Sequence, residues 1–375
     1  MLYGAKDFIL MSNMFATCDE SVMPIVDLLE SKIKEGIPVH MIVERVFAIK
    51  YSGCLKKLKK IGVNLFYNDN MIKLKNRLVY HDKFCVVDNK KALVYGANLF
   101  DSEIDSTGFN HMFRDSGIAL SGPVVTDLAL AWMSLAFQLK DKKAQKDLLE
   151  IKSKIDKQFV AETKIGSRGL GQIQKKNDLN GTCRVVIQSP ATKLNAMGML
   201  YAKLVEKAQK SVYVSLPRLP YTLENDTDPL TGDVLKNLLR KSQENGDFQV
   251  DIMTNNKMVS TDVKSKNFKK TGVLTSLYKF FVKMEDTIKV VNSSREYFGG
   301  KNKRDNFNVW NYFQFTHGKT LMIDNAVYVV GSYNLNETSN NTSFEMGVLC
   351  YDRELVEEAQ NSMILDMINS VPILE

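Results

Sequence analysis

Residues 81–88 read HDKFCVVD, and residues 317–324 read HGKTLMID. In both, Lys follows His by two positions and Asp follows it by seven. Each octet leads into a second apolar run and then an Asn seventeen positions after the His, Asn98 and Asn334. The chain has only 4 histidines, and two of them sit in these matched surroundings. A single His-x-Lys carries no information. Two copies with identical Lys, Asp and Asn offsets point to one site assembled from two halves.

Working outward, the repeat is longer than the motif. Ile9-Leu10-Met11-Ser12 resembles Val212-Tyr213-Val214-Ser215. Each reads as a strand followed by a helix, near 21–35 and 233–243, and then by a second strand, Val39–Glu44 and Val250–Thr254. Strands alternating with helices predict an α/β fold with mainly parallel or mixed sheets and helices on their faces. The motif strands, Phe84–Val87 and Leu321–Ile323, are continuously apolar, as central strands buried on both faces are. The expected architecture is two similar α/β/α sandwich halves, pseudo-twofold related, with one shared active site at the interface. Residues 1–139 form the first half, 140–182 a Lys-rich linker and 183–375 the second half. A helix at about Asn195–Gln209 precedes the first strand of the second half. Its counterpart is expected upstream of Met1, so the first half reads as N-terminally truncated.

At 375 residues the chain has ample length for a core of this size. The formal charge of +7 favours anionic partners, although a solvated Lys-rich surface accounts for charge alone. No apolar run approaches the roughly 20 residues needed to cross a bilayer. The most apolar stretch, Ala129–Phe137, reads as a buried helix. Cys18, Cys54, Cys85, Cys183 and Cys350 are odd in number and scattered, so neither a disulfide framework nor a zinc cluster is expected. Cys85 and Cys350 read as small core residues, which fits a reducing compartment. Residues 257–311 form a long basic insertion, read as a lid, a binding surface or a disordered segment.

His and Lys two positions apart on a strand share a face. Two such units offer His81, His317, Lys83 and Lys319 to one phosphate. A neutral imidazole can attack phosphorus while a protonated one donates to the leaving alkoxide. The two lysines, Asn98, Asn334 and the Ser332 hydroxyl are expected to stabilise the non-bridging oxygens. Asp88 and Asp324 fall on the opposite parity and are assigned a structural role. Each imidazole also needs an orienting acceptor. Asp115 and Glu345 each open an apolar strand, Ser116–Leu120 and Met346–Leu349, and are assigned as the partners of the two histidines. This chemistry needs no metal and no cofactor. His40 reads as packed in the second strand, and His111 as a loop residue.

These residues resemble the phospholipase D superfamily, whose signature is His-x-Lys-x4-Asp twice per active unit. Phe113-Arg114-Asp115 followed by Ser121-Gly122-Pro123-Val124-Val125 is similar to the bacterial cardiolipin synthase group. So is Gly331-Ser332-Tyr333-Asn334-Leu335 followed by Asn341 and Glu345-Met346-Gly347. The resemblance implies transphosphatidylation through a phosphohistidine, with cardiolipin made from phosphatidylglycerol. It implies His81 as nucleophile and His317 as general acid and then base. It also implies a phospholipid substrate at an anionic membrane surface and a monomer with a complete site. The location it implies is bacterial, peripheral to the inner membrane or cytoplasmic, with any signal or anchor upstream of Met1. Nucleases share the superfamily, so a phosphodiesterase acting on nucleic acid is the alternative. The halves depart from each other at one turn, where Tyr95-Gly96 stands for Gly331-Ser332.

Overall fold

The computed structural model describes residues 1–68, 79–100, 113–139, 142–164, 183–190, 194–217, 229–255, 306–312 and 315–372. His111 and most of the basic insertion lie outside them. In the first half the strands are β1 (Ile9–Asn13), β2 (Val39–Glu44), β3 (Asn64–Asn68), β4 (Val79–Tyr80), β5 (Phe84–Val87), β6 (Lys91–Tyr95), β7 (Phe113–Arg114) and β8 (Gly117–Ser121). The remainder are β9 (Cys183–Gln188), β10 (Ser211–Ser215), β11 (Gln249–Thr254), β12 (Phe307–Tyr312), β13 (Phe315–Thr316), β14 (Thr320–Ile323), β15 (Val327–Gly331), β16 (Ser343–Cys350) and β17 (Ser370–Pro372).

The first sheet runs β3-β2-β1-β5-β6-β8. The second contains β12-β11-β10-β14-β15-β16 in the same order, with β17 on one edge and β4 and β9 against β16. In both, three parallel strands meet three antiparallel ones. The sheets are therefore mixed rather than mainly parallel, and the motif itself is the reason. Asp88 and Asn89 have φ of 55° and 53°, and Asp324 and Asn325 have 55° and 51°. Two successive left-handed residues are what a tight primed hairpin turn requires, and Asp and Asn tolerate that conformation best after Gly. Each motif strand therefore turns straight back on itself, β5 into β6 and β14 into β15.

Helices α1 (Met23–Lys34), α2 (Arg45–Lys50) and α3 (Ser52–Lys60) accompany the first sheet. Next come α4 (Pro123–Gln138), α5 (Lys142–Lys164), α6 (Ala196–Lys207), α7 (Pro229–Glu244), α8 (Glu337–Asn341) and α9 (Arg353–Ile368). Helix α6 starts where the sequence placed it, with the Asn195 side chain accepting from Gly198 N at 2.8 Å. Helix α5 occupies the front of the stretch read as a linker. Its Leu148, Ile151 and Ile155 are buried beside α4. Period-3.6 apolar positions diluted by lysines concealed it.

Three apolar clusters build the core. One packs the first sheet against α1 and α3, and one packs the second against α6 and α7. The third joins both halves: Phe84, Val86 and Val94 meet Tyr213, Met322, Val330 and Phe344 around α4. Trp132 of α4 is fully buried, and its indole donates to Met11 O at 2.7 Å. A large apolar side chain contributes about 1.5–3 kcal/mol on burial. That shared cluster helps to hold the halves together. The segment Ala129–Phe137 is part of it, and no described helix is long and apolar enough to cross a membrane.

The cysteines correct the sequence reading. Cys18 is bonded to Cys54, and Cys183 to Cys350 across a sequence separation of 167. Cys183 and Cys350 are register partners in the antiparallel β9–β16 pair, which linear spacing does not reveal. Cys85 alone is free, and it is buried.

Candidate active site

Each histidine sits just beyond a two-residue strand that crosses to the other half. Strand β4 pairs in parallel with the start of β16, Val79 with Ser343 and Tyr80 with Phe344. The next residue, His81, continues the ladder, its N–H donating to Phe344 O at 3.2 Å. That register places His81 Nδ1 3.1 Å from Glu345 Oε2. Strands β7 and β13 repeat the device, pairing Phe113 with Phe315 and Arg114 with Thr316. His317 N donates to Arg114 O at 2.7 Å, and His317 Nδ1 lies 2.7 Å from Asp115 Oδ2. The acids are crossed: each histidine is oriented by the carboxylate of the opposite half. The sequence offsets counted Glu345 from His317 and Asp115 from His81, within each half; the crossing strands exchange them.

Both lysines are buried at 1% exposure. Lys83 Nζ donates to His81 O at 2.7 Å, and Lys319 Nζ to His317 O at 2.6 Å. Lys319 Nζ also lies 3.1 Å from His317 Nδ1 and 3.2 Å from Nε2. The two motifs share one electrostatic field. Burial pushes the His81 ring below its ordinary value, and Lys83 adds to this, with Lys319 of the other motif acting in the same direction. Glu345 opposes the shift without cancelling it. Burial opposes ionisation of Asp115, but Lys319 and His317 outweigh it and hold its carboxyl low. A neutral His81 with Nδ1 turned to Glu345 leaves Nε2 as a nucleophile.

The acids are held by different means. Glu345 lies inside β16 with no exposure. Ser332 Oγ donates to its Oε2, and Ser339 Oγ to its Oε1 at 2.7 Å. Ser332 was expected on the substrate phosphate. Its hydroxyl is committed to Glu345 instead, and it also accepts from Met346 N at 3.0 Å. Gly96, its counterpart, has no room for a side chain, because a Cβ there would stand 2.1 Å from Asp115 Oδ1. The Ser-for-Gly difference thus follows from where each carboxylate lies.

The motif aspartates tie the hairpins to the sheets. Asp88 accepts from Lys6 N, Asp7 N and Phe8 N at 2.8–3.0 Å. Asp324 accepts from Gln209 N, Lys210 N and Ser211 N at 2.7–3.1 Å. Asn98 is buried, and Asn334 N donates to Ser339 Oγ at 3.3 Å. The Asn334 side-chain carbonyl is buried without a hydrogen-bond partner. His40 is fully buried against the rings of Phe66 and Trp132.

Sequence reasoning missed three participants. Ser339 carries a signal, since Asn336-x-x-Ser339 begins a helix and the Asn336 side chain accepts from Ser339 N at 2.8 Å. Arg114 hides in a two-residue strand. Asp82, between His81 and Lys83, is fully buried with neither carboxylate oxygen hydrogen-bonded. Burial, and then the charge of Glu345, push its carboxyl well above the usual range. Its neutral form is thereby favoured, as expected for a buried acid beside the charge of Glu345.

Residues 201–366 match the family model described as "Cardiolipin synthase, PLD-like domain". Among curated proteins, the chain is 22% identical over 374 residues to cardiolipin synthase 1 of Staphylococcus epidermidis, covering 98% of this chain and 64% of that protein. It is 22% identical over 371 residues to cardiolipin synthase 2 of Bacillus cereus, covering 96% and 61%. The chain thus spans about three-fifths of these relatives' length. Among solved structures, phosphatidylserine synthase of Haemophilus influenzae superposes with a TM-score of 0.63 at 14% identity, covering 99% of this chain and 83% of that one. Polyphosphate kinase of Porphyromonas gingivalis gives 0.51 at 12% identity, covering 98% and 44%. With two His-x-Lys-x4-Asp motifs brought into one electrostatic site on this fold, the chain is similar to the phospholipase D superfamily, the family model matching its second half.

Proposed function

We propose that the chain is a phosphatidyltransferase that makes cardiolipin from phosphatidylglycerol through a phosphohistidine on His81. The crossed pairs His81–Glu345 and His317–Asp115 carry this reading, because they prepare two imidazoles for unequal tasks. His81 Nε2 attacks phosphorus, and the bond to the departing glycerol oxygen breaks. Protonated His317 gives its proton to that oxygen. Neutral His317 then takes the proton from the hydroxyl of a second phosphatidylglycerol. Its oxygen attacks phosphorus, the phosphorus–nitrogen bond breaks, and both rings return to their starting states. Glu345 and Asp115 fix the tautomers, in the manner of the acid in a Ser-His-Asp triad. Lys83, Lys319, Asn98 and Asn334 balance charge on the non-bridging oxygens. The substrate is met at an anionic membrane surface, and one monomer holds a complete site.

The test is product analysis by mass spectrometry on phosphatidylglycerol vesicles. The intact protein should form cardiolipin, and His81→Ala and His317→Ala should not. Unchanged formation in either variant would remove the reading. The net charge of +7 keeps a second one in view, a phosphodiesterase acting on nucleic acid. Salt-sensitive DNA cleavage without lipid turnover would establish it in place of the first.

A further inference from the structure

Arg114 stands one residue before the acid that orients His317, and it binds in three directions. Its Nε donates to Asp366 Oδ1 at 2.7 Å, its Nη2 to Ser362 Oγ and its Nη1 to the carbonyl of Asp115. Its own carbonyl accepts from His317 N at 2.7 Å. One residue therefore reaches three places: its side chain joins the main chain of Asp115 to the last helix, and its main-chain carbonyl holds His317 N. Ser362 and Asp366 are four residues apart and share one face of α9.

The two acids differ in how much support they need. Glu345 is the third residue of an eight-residue central strand and receives hydroxyls from Ser332 and Ser339. Asp115 lies in the two-residue gap between β7 and β8, and β7 has only two residues. The Asp115 carboxylate receives one local hydrogen bond, from Ser116 N at 2.8 Å, and among the described residues no side-chain hydroxyl donates to it as Ser332 and Ser339 do to Glu345. The Arg114 side chain is 29% exposed and that of Asp366 14%, so water screens their pairing only in part.

We propose that Arg114, anchored by Asp366 and Ser362, is a positioning residue that sets Asp115 against His317, so that the last helix governs proton transfer at the leaving oxygen. The proposal rests on the assignment of His317 as the general acid. It deepens that assignment by adding two residues of the last helix, Ser362 and Asp366, which follow His317 by 45 and 49 positions.

A change of leaving group tests it. Phosphatidylglycerol must expel an alkoxide, which needs the proton. The same phosphatidyl group on p-nitrophenol expels a stabilised phenoxide, which does not. The measurement is the first-turnover release from each substrate by Arg114→Lys, Asp366→Asn and Ser362→Ala. Release from phosphatidylglycerol should fall about 10- to 100-fold, the cost expected of a misplaced catalytic group. Release of p-nitrophenol should stay within about threefold, a spread too small to signal a lost catalytic interaction. His317→Ala runs alongside and should show the same contrast. If it shows none, the general-acid assignment is wrong. If it shows the contrast and a folded Asp366→Asn or Ser362→Ala slows both substrates equally or neither, the clamp is structural only and the proposal fails. Melting curves identify folded variants, and the two helix substitutions keep the test decisive if Arg114→Lys does not fold.

Discussion

At the scale of single residues, the proposed chemistry rests on two carboxylates placed against the two imidazoles. Asp115→Asn preserves shape but offers His317 an amide, which favours the wrong tautomer. A loss of about 10³- to 10⁴-fold in turnover is expected from the triad precedent. Glu345→Gln should cost a similar factor and should also lower the melting temperature, because Ser332 and Ser339 would lose a charged acceptor at zero exposure. Transfer rates on phosphatidylglycerol vesicles with parallel melts check both. A fully active Asp115→Asn would remove the orienting role. His81 gives a second expectation, with a definite sign. Burial and Lys83 hold its folded value below the ordinary 6.5. The reactive neutral ring therefore persists as pH falls past 6.5, and activity is lost only as pH passes the lower, folded value. The unfolded chain takes up this proton first. Stability from the neutral ring is thus present above pH 6.5 and is lost as pH falls through the folded value. An acidic limb of turnover on the phosphatidyl-p-nitrophenol ester lying above pH 6.5 would contradict this. The ring was legible in the sequence as a motif, but its depressed value was not, because that arises from burial by strands of both halves.

At the scale of elements, the hairpin that follows each motif strand fixes the sheet. Asp88-Asn89 and Asp324-Asn325 were visible as Asp at the seventh position, yet their backbone conformation decides that the second half of each sheet is antiparallel. The continuous apolar strands left mainly parallel and mixed sheets both open, since a strand buried on both faces looks the same in either direction. The Asp does more than turn the chain. Asp88 gathers three N–H groups at the start of β1, which sets the register of β1 against β5. Asp88→Ala should lower stability by about 2 kcal/mol or more, given that hydrogen bonds to a charged group contribute about 1.5–3 kcal/mol. Asp88→Asn should lose less, because Asn tolerates the left-handed turn. Denaturant midpoints measure the order. Equal midpoints for the two variants would show that the carboxylate is not what holds the strand. The crossing strands β4 and β7 could not be foreseen, because two residues carry no period, and they are what bring each acid to the other half's histidine.

At the scale of the whole molecule, the offsets of His, Lys, Asp and Asn made a two-part site readable, and the alternation of strands and helices made the fold class readable. What stayed hidden was long-range pairing, and the cysteines show why. Cys183 and Cys350 are joined because β9 aligns antiparallel along β16, a register set by packing and not by spacing. Cys18, in the segment after β1, meets Cys54 of α3. These two bridges close loops of very different length, 36 and 167 residues apart. A bridge typically contributes about 2–4 kcal/mol by restricting the unfolded chain, and the longer loop about 1 kcal/mol more than the shorter. Peptide mapping without reductant should recover these two pairs and leave Cys85 as the single thiol. Burial pushes that thiol up to about 12, so it should react with an alkylating reagent only after unfolding. Cys183→Ser with Cys350→Ser should then lower the melting temperature more than Cys18→Ser with Cys54→Ser. Five thiols titrating after unfolding without reductant, or a melting curve indifferent to reductant, would show that the bridges do not form and that the β9–β16 register stands on its hydrogen bonds and apolar packing alone.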